Sequence, residues 1–425
     1  MHITTLTTFQ EICRSRINYK KEKNILNKID FVFQSILDEK GFLDPNRDKI
    51  NKSQKRLDDL QKMASTFVIS NQFNKILKEN GILGIDAGTS KDFTTYFYAL
   101  PSNRFELWAY MESSRLISPV FREFFNEREI IKEERRLRTE NSIMGKLFEE
   151  LQYLAFKSHP YRTNVIGLMS DIECITRPET KEFFTKHYTA KNMIIGIQGD
   201  ISPVQVEKNV KMYFSKLKPG KLNHFILNTE ISQIGEKVMT ISDKSRLCFI
   251  IGYHCPSSFH KDFIKFKILE YLLTKGYCSR LYKKLITNED KVLFIDSKTG
   301  FPGDKYSSLF VLYALPKNKF TNNEVIKSIL SEIDNLKKSP VLKDELLGAK
   351  NRLKTDLLNN MLDEKSFLFD LLRAEMFHGS WEHAFDIFTE IENVTKEDIQ
   401  TIVNKYFITS NRIIVKTENG IDENK

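Results

Sequence analysis

The sequence predicts an α+β chain of two homologous domains, each a mostly antiparallel sheet with helices packed on one face. YALPSNRF at Tyr98–Phe105 returns as YALPKNKF at Tyr313–Phe320, 215 residues later. DIECIT at Asp171–Thr176 returns as EIENVT at Glu390–Thr395, 219 residues later. Each copy of that second segment is followed by a basic residue and a tyrosine (His187 with Tyr188, Lys405 with Tyr406). An Asn-led apolar run comes next, NMIIGI at Asn192 and NRIIV at Asn411. Two anchors in the same order at nearly equal spacing mark a repeat as long as a whole domain, too long for a solenoid unit. Strands followed by helices in each half give sheets with helices laid against them.

From the N-terminus, Lys20 to Phe73 is polar with apolar residues at helical spacing (Ile25, Ile29, Phe33, Ile36, then Leu57, Leu60, Met63, Phe67). The pattern breaks at GFLDPNRDK, which predicts a helical hairpin. With no counterpart in the second half, residues of about 20–75 read as an insertion. Asp92 to Leu100, rich in Thr, Tyr and Phe and ended by Pro101, predicts a strand, with Tyr306 to Leu315 its second-half partner. Arg104 to Ser114, Phe121 to Glu140 and Lys146 to Phe156 read as helices. Thr176 and Thr395 each precede a helix and have an acidic residue three positions on, Glu179 and Asp398, as an N-cap with a capping-box partner requires. The halves meet in the loop-like stretch Pro219 to Asn228, giving expected domains of 1–224 and 225–425.

At 425 residues and 41% hydrophobic, the chain is long enough for two cores of ordinary size. The net charge of +9 comes from lysines scattered along the whole length, the pattern of a solvated surface rather than of a nucleic-acid stripe. The five cysteines, Cys13, Cys174, Cys248, Cys255 and Cys278, are odd in number and form no CxxC, so they read as core or incidental thiols. No run of 18 apolar residues occurs, and Met1 to Lys23 lacks the apolar stretch of a secretory signal, so neither nucleic acid nor a membrane is an expected partner.

Five segments carry a resemblance: DAGTSKDFTTYFYALP, SSRLISPVFREFFNEREIIKEERRLRTEN, SHPYRTNVIGLMSDIE, KHYTAKNMIIGIQGDI and, in the second half, GYCSRLYKKL. Together they resemble the insulinase/pitrilysin family of inverted zinc metallopeptidases, which includes the mitochondrial processing peptidases, from about Asn18 to Lys416. The resemblance implies peptide-bond hydrolysis at a single zinc, with unstructured peptides as substrates. Family catalysis uses HxxEH on a helix: histidines at i and i+4 grip the metal from one face and the intervening Glu activates the bound water. A glutamate from a later helix completes the coordination. By resemblance Glu134 matches that third zinc ligand and Glu127 a supporting acid; seven residues apart, they share a helix face about 10 Å apart along its axis.

HxxEH is absent, since none of the eight histidines has another four residues away. In the second half, KILEYLLTKG at Lys267–Gly276 looks like the sister of the zinc-binding helix, with Lys267 and Tyr271 where ligands would stand. The first half lacks an equivalent helix and the strands before it, so the first domain is expected to be incomplete at its N-terminus. An alternative start, a frameshift or a split gene are all compatible with Met1 to Ile17, which does not resemble the family.

For Glu127 and Glu134, among Arg128, Lys132, Arg135 and Arg136, a solvated face with i,i+4 pairs competes with a metal site and is favoured for present function. The family's Asn-Ala-x-Thr substrate motif stands here as Asp86, Ala87, Gly88 and Thr89; the aspartate removes an amide donor and adds charge. His159 reads as structural rather than as a substitute ligand, and Arg280 and Tyr282 as packing residues.

Two functions are expected. One is a degenerate or truncated metallopeptidase homologue, inactive alone and holding no stable zinc, with an exposed sheet edge. The other is a non-catalytic subunit of a two-chain clamshell, partnered by an HxxEH-bearing relative or by a second copy. A weaker third is an enzyme rebuilt with HxxEH supplied in trans.

Overall fold

A computed structural model describes residues 16–69, 71–221, 230–243 and 246–418. His2, Cys13, His224 and most of the expected inter-half loop lie outside the described residues. In chain order the elements are α1 (Arg16–Lys40), α2 (Arg47–Ser65), α3 (Gln72–Glu79), β1 (Leu83–Thr89), β2 (Thr94–Ala99), α4 (Phe105–Ile117), α5 (Phe124–Arg135), α6 (Ile143–Ala155), α7 (Met169–Cys174), α8 (Arg177–His187) and α9 (Pro203–Phe214). They continue with β3 (Lys237–Ser242), β4 (Phe249–Cys255), α10 (Phe263–Leu273), α11 (Arg280–Tyr282), β5 (Val292–Phe301), β6 (Ser308–Pro316), α12 (Asn322–Lys338), α13 (Lys343–Leu362), α14 (Glu364–His378), α15 (His383–Asn393), α16 (Lys396–Tyr406) and β7 (Arg412–Glu418). The residues divide into two compact units. Of the described residues, one unit takes those within Met1–Arg135, Val165–Met193 and Gln198–Phe225, and the other those within Arg136–Asn164, Ile194–Ile197 and Ile226–Lys425.

In the first unit the expected helical hairpin is α1 and α2. Leu26, Ile29, Val32, Phe33 and Ile36 form one stripe of α1, which buries against Leu57 and against Phe124 and Phe125 of α5. Between the helices, Asn46 caps α2 by accepting the Lys49 N–H at 3.0 Å. Arg122 holds Glu22 of α1 in a buried pair, with Nη2 donating to Oε2 at 2.8 Å. β1 and β2 make an antiparallel two-stranded sheet, with Ala87 opposite Tyr96. Phe73, Leu77, Ile82 and Met111 bury beside it, joining α3 and α4 to the hairpin.

The helix expected over Phe121 to Glu140 is shorter. Phe121 and Glu123 have φ of 56° and 48°, left-handed conformations that a right-handed helix cannot continue through, so α5 begins at Phe124. Its far end widens into a π turn over Arg136–Glu140.

The second unit holds a five-stranded sheet in the order β3-β7-β4-β6-β5, antiparallel except for the parallel β3–β7 pair. Strand alternation sorts its residues onto two cores. Phe249, Ile251 and Tyr253 of β4 with Phe310 and Leu312 of β6 face the helices of the second half, including Ile268 and Leu272 of α10 and Ile329 of α12. Ile250, Leu309, Val311, Ile413 and Val415 face the other way, where α6 covers them with Leu147, Leu151 and Ala155. Burying each such leucine contributes about 1.5–3 kcal/mol. The close approach explains Gly252 in the middle of β4, where a Cβ would stand 3.1 Å from Leu151 Cδ1. Of the two Asn-led apolar runs, NRIIV enters β7, whereas residues 193–197 are in no strand.

Candidate functional site

Glu127 and Glu134 both lie on α5, half-buried, two turns apart. The helix is held firmly. The Arg128 guanidinium lies 4.5 Å from the Phe33 ring centre and 4.9 Å from that of Phe125, and donates to the Glu173 carbonyl at 3.3 Å. Arg135 is buried and donates to the Gly167 carbonyl. On the outer face Lys132 pairs with Glu129, three positions earlier, at 2.8 Å and with Glu173 of α7 at 3.7 Å. Glu127 differs from a solvated acid. Burial, followed by the nearby Glu123 carboxylate, raises its pKa above the ordinary 4.5.

Zinc needs three protein ligands at a catalytic site. Among the described residues no three His, Cys, Asp or Glu side chains gather so that they could hold a metal ion, so the residues around Glu134 do not fit the group and no reaction step is derived through it. His187, at the end of α8, packs against Phe183 with ring centres 4.3 Å apart. His159 is buried and its Nδ1 accepts the Tyr161 N–H at 3.1 Å, capping a short 3-10 turn, while its ring packs against Tyr306.

Asp86, Ala87 and Thr89 lie on β1, opposite Phe97, Tyr96 and Thr94 of β2. Asp86 Oδ1 accepts the Ala87 N–H at 2.9 Å, so the carboxylate occupies a main-chain donor at that position. Beside the hairpin lies a polar network that the sequence reading missed. Glu112 and Arg115 of α4 are buried, with side chains 6% and 1% exposed. Arg115 donates to Glu112 Oε2 through Nε at 3.2 Å and Nη2 at 2.5 Å, and Tyr98 donates to Oε1 at 2.5 Å. The Arg115 guanidinium lies 4.5 Å from the Tyr96 ring centre, and Tyr96 shares a 2.9 Å hydrogen bond with Tyr188. Burial, then the Glu112 charge, pushes the Tyr98 phenol far above its usual range. Three of the quoted segments, those containing Tyr96 and Tyr98, Arg115, and Tyr188, thus meet in one network. The available signal was the i,i+3 spacing of Glu112 and Arg115 on α4.

In the second unit, α10 presents Lys267, Glu270 and Tyr271 at i, i+3 and i+4. Glu270 falls at the glutamate position of the HxxEH spacing. Its carboxylate is buried, accepts the Thr299 N–H of β5 at 2.5 Å and pairs with Lys267 at 3.4 Å. Tyr271 donates to Asp356 at 2.6 Å, and Arg352 Nη2 donates to the Tyr271 carbonyl at 3.0 Å. Arg280 forks onto Glu345 at 2.5 and 2.8 Å and reaches Glu332 at 3.3 Å, tying α11 to α12 and α13. Cys248 and Cys255 are buried in β4 or beside it and Cys174 and Cys278 are exposed, all as free thiols.

The mixed α+β fold of this chain is that of M16-type peptidase structures. Residues 175–353 match the family described as the peptidase M16 inactive domain. The chain is 28% identical over 344 residues to the zinc protease PqqE of Helicobacter pylori, spanning 79% of this chain and 76% of that protein. It is 24% identical over 336 residues to a probable mitochondrial-processing peptidase subunit beta of Arabidopsis thaliana, spanning 76% of this chain and 62% of that one. The crystal structure of a protease from Helicobacter pylori superposes with a TM-score of 0.76 at 25% identity, covering 82% of this chain and 85% of the other. The chain is thus homologous to proteins named zinc proteases and mitochondrial-processing peptidase subunits, and its residues 175–353 match the M16 inactive-domain family.

Proposed function

We propose that this chain is an insulinase-like zinc metallopeptidase homologue that does not hydrolyse peptides by itself. One observation carries the proposal: no histidine of the 425 residues has another four positions away, so the chain has no HxxEH. With it go both imidazole ligands and the water-activating glutamate. Glu134 remains as a single carboxylate and Glu127 as a vestigial supporting acid, too few to hold zinc stably. At Asp86, with Ala87 and Thr89, the substrate strand of the family motif has lost its amide donor. Elemental analysis of the purified chain is expected to find substoichiometric zinc, and unstructured peptides are expected to survive incubation with it. One zinc per chain together with chelator-sensitive cleavage overturns the proposal.

A second reading, a non-catalytic partner subunit, is supported by relatives that are themselves named subunits of the mitochondrial processing peptidase. It calls for a stable complex with a family chain bearing HxxEH, and for faster peptide cleavage by the mixture than by that chain alone. Size-exclusion chromatography coupled to light scattering separates this from a homodimer.

A further inference from the structure

We propose that the second unit binds an extended, acidic peptide segment as a sixth strand on β3, a site independent of whether the chain hydrolyses anything. β3 is an edge strand, paired only with β7 among the described residues. Asp243, just beyond it, donates its N–H to the Glu418 carbonyl of β7 at 3.0 Å. Main-chain groups alternate along a strand, so Val238, Thr240 and Ser242 turn their N–H and C=O groups away from β7, toward the open edge. An incoming strand finds three consecutive docking positions there, which is the geometry of β-augmentation.

The side chains add a groove. Met239 and Ile241 pack toward α6, whereas Val238 lies on the opposite face and is 54% exposed. It lines a groove of about 510 Å³ with Ile414 of β7 and Ile326 and Leu330 of α12. Alternate side chains of an added strand would point toward this apolar floor. Just upstream, Ile231 and Ile234 are exposed, extending the apolar edge. Natural edges exposed for no purpose are blunted with lysine, proline or bulges; the one lysine of β3, Lys237, donates to the Leu154 carbonyl of α6, and Val238, Thr240 and Ser242 are none of these.

Charge selects the occupant. Glu236 is neutralised by Arg412 at 2.5 Å, Asp334 by Lys337 at 2.9 Å, and Lys416 pairs with Glu418 at 3.5 Å. Lys327 and Lys338, both exposed on the groove wall, make no ion pair among the described residues. The groove therefore offers two uncommitted ammonium groups beside an apolar floor, complementary to a peptide with acidic side chains among apolar ones. A second copy paired through β3 would set these lysines against their own counterparts, so the edge suits a hetero-partner.

The probe is a dye-labelled octapeptide alternating valine and threonine with two glutamates, compared with the same peptide carrying two lysines. Fluorescence polarisation on the full chain is expected to show saturable binding of the acidic peptide. Thr240→Pro, which removes an outward N–H, and the pair Lys327→Glu/Lys338→Glu should each weaken it about tenfold or more, the latter shifting preference to the lysine peptide. Equal binding of both peptides, binding that survives both variants, or no saturable binding by about 1 mM overturns the proposal. So does a concentration-dependent dimer abolished by Thr240→Pro, which would assign the edge to a second copy. If circular dichroism shows Thr240→Pro unfolded, the charge reversal decides.

Discussion

The Lys267 ammonium stands 3.4 Å from the Glu270 carboxylate, one turn along the helix where the family spacing would put a histidine and its glutamate. A cation built into the chain thus faces the acid, while Thr299 donates its N–H to the same oxygen. Glu270 is only 7% exposed at its side chain, so removing its cation leaves a buried charge with a single main-chain donor. Lys267→Met is expected to lower stability by about 2 kcal/mol, less than for a wholly buried pair because Lys267 is 31% exposed. Adding Glu270→Gln should restore part of the loss, because the charge goes and the amide oxygen still accepts from Thr299. Urea unfolding of the two single variants and the double variant measures this; strict additivity would mean that the two groups do not interact.

The buried Arg115–Glu112 pair makes a stronger demand. Arg115→Met leaves a carboxylate inside the first unit with Tyr98 as donor and no cation, a change that typically costs about 3–5 kcal/mol. Arg115→Lys should recover little, because the Nε and Nη2 fork and the contact with the Tyr96 ring both need the planar guanidinium. Thermal unfolding followed by tyrosine fluorescence reads the effect, and a shift within error of wild type for Arg115→Met would remove the network as a determinant of the fold.

Local chemistry was the legible part of this chain. Thr176 and Thr395 form the capping boxes their spacing predicts: each hydroxyl accepts the N–H of Glu179 or Asp398, and each acid accepts the threonine N–H. The strands around Tyr98 and Tyr313 stand where composition and the repeat put them, and the helix through Lys267 where the resemblance puts it. Partners distant in sequence were not legible. The apolar stripe of α6 is plain in the sequence, but periodicity says only that a face is buried, not that it meets the sheet of β4, β6 and β7. Likewise nothing local to Glu112 and Arg115 reveals that Tyr98 and Tyr96 of β2 are brought over them. Glu127 read as one of a solvated row, and its partial burial comes from packing that no single-helix pattern reveals.

Glu230 gives a pH signature. Its carboxylate accepts three consecutive main-chain N–H groups, from Lys157 at 2.9 Å and from Ser158 and His159 at 3.1 Å each. Burial alone would raise its pKa, but these donors outweigh it and hold the group below 4.5. A carboxyl depressed in the folded state contributes stability that is present above its unfolded value and lost as pH falls through the folded one. The contribution is therefore complete at neutral pH and begins to be lost as the pH falls below about 4.5. Glu230→Gln should cost about 1 kcal/mol at pH 7, limited by partial exposure, and should flatten the acid limb of a stability–pH curve. An unchanged acid limb would mean that this carboxylate does not contribute to it.

Gly145 is required by contact rather than by conformation. It lies in the first turn of α6, where Ser142 caps the helix by accepting its N–H at 3.2 Å. A Cβ there would stand 2.1 Å from the Arg138 carbonyl oxygen and 2.9 Å from Thr139 Cα, both backbone atoms of the preceding π turn. Backbone cannot swing aside as a side chain can, so Gly145→Ala must displace either the turn or the start of α6, and with it Leu147 and Leu151 in the core. The expected cost is about 2–4 kcal/mol, against about 1 kcal/mol for Gly167→Ala, where φ is +80° and a Cβ would meet nothing within 4 Å. Comparing the two by urea midpoint separates collision from backbone strain. Equal shifts would mean that the π turn yields freely to α6.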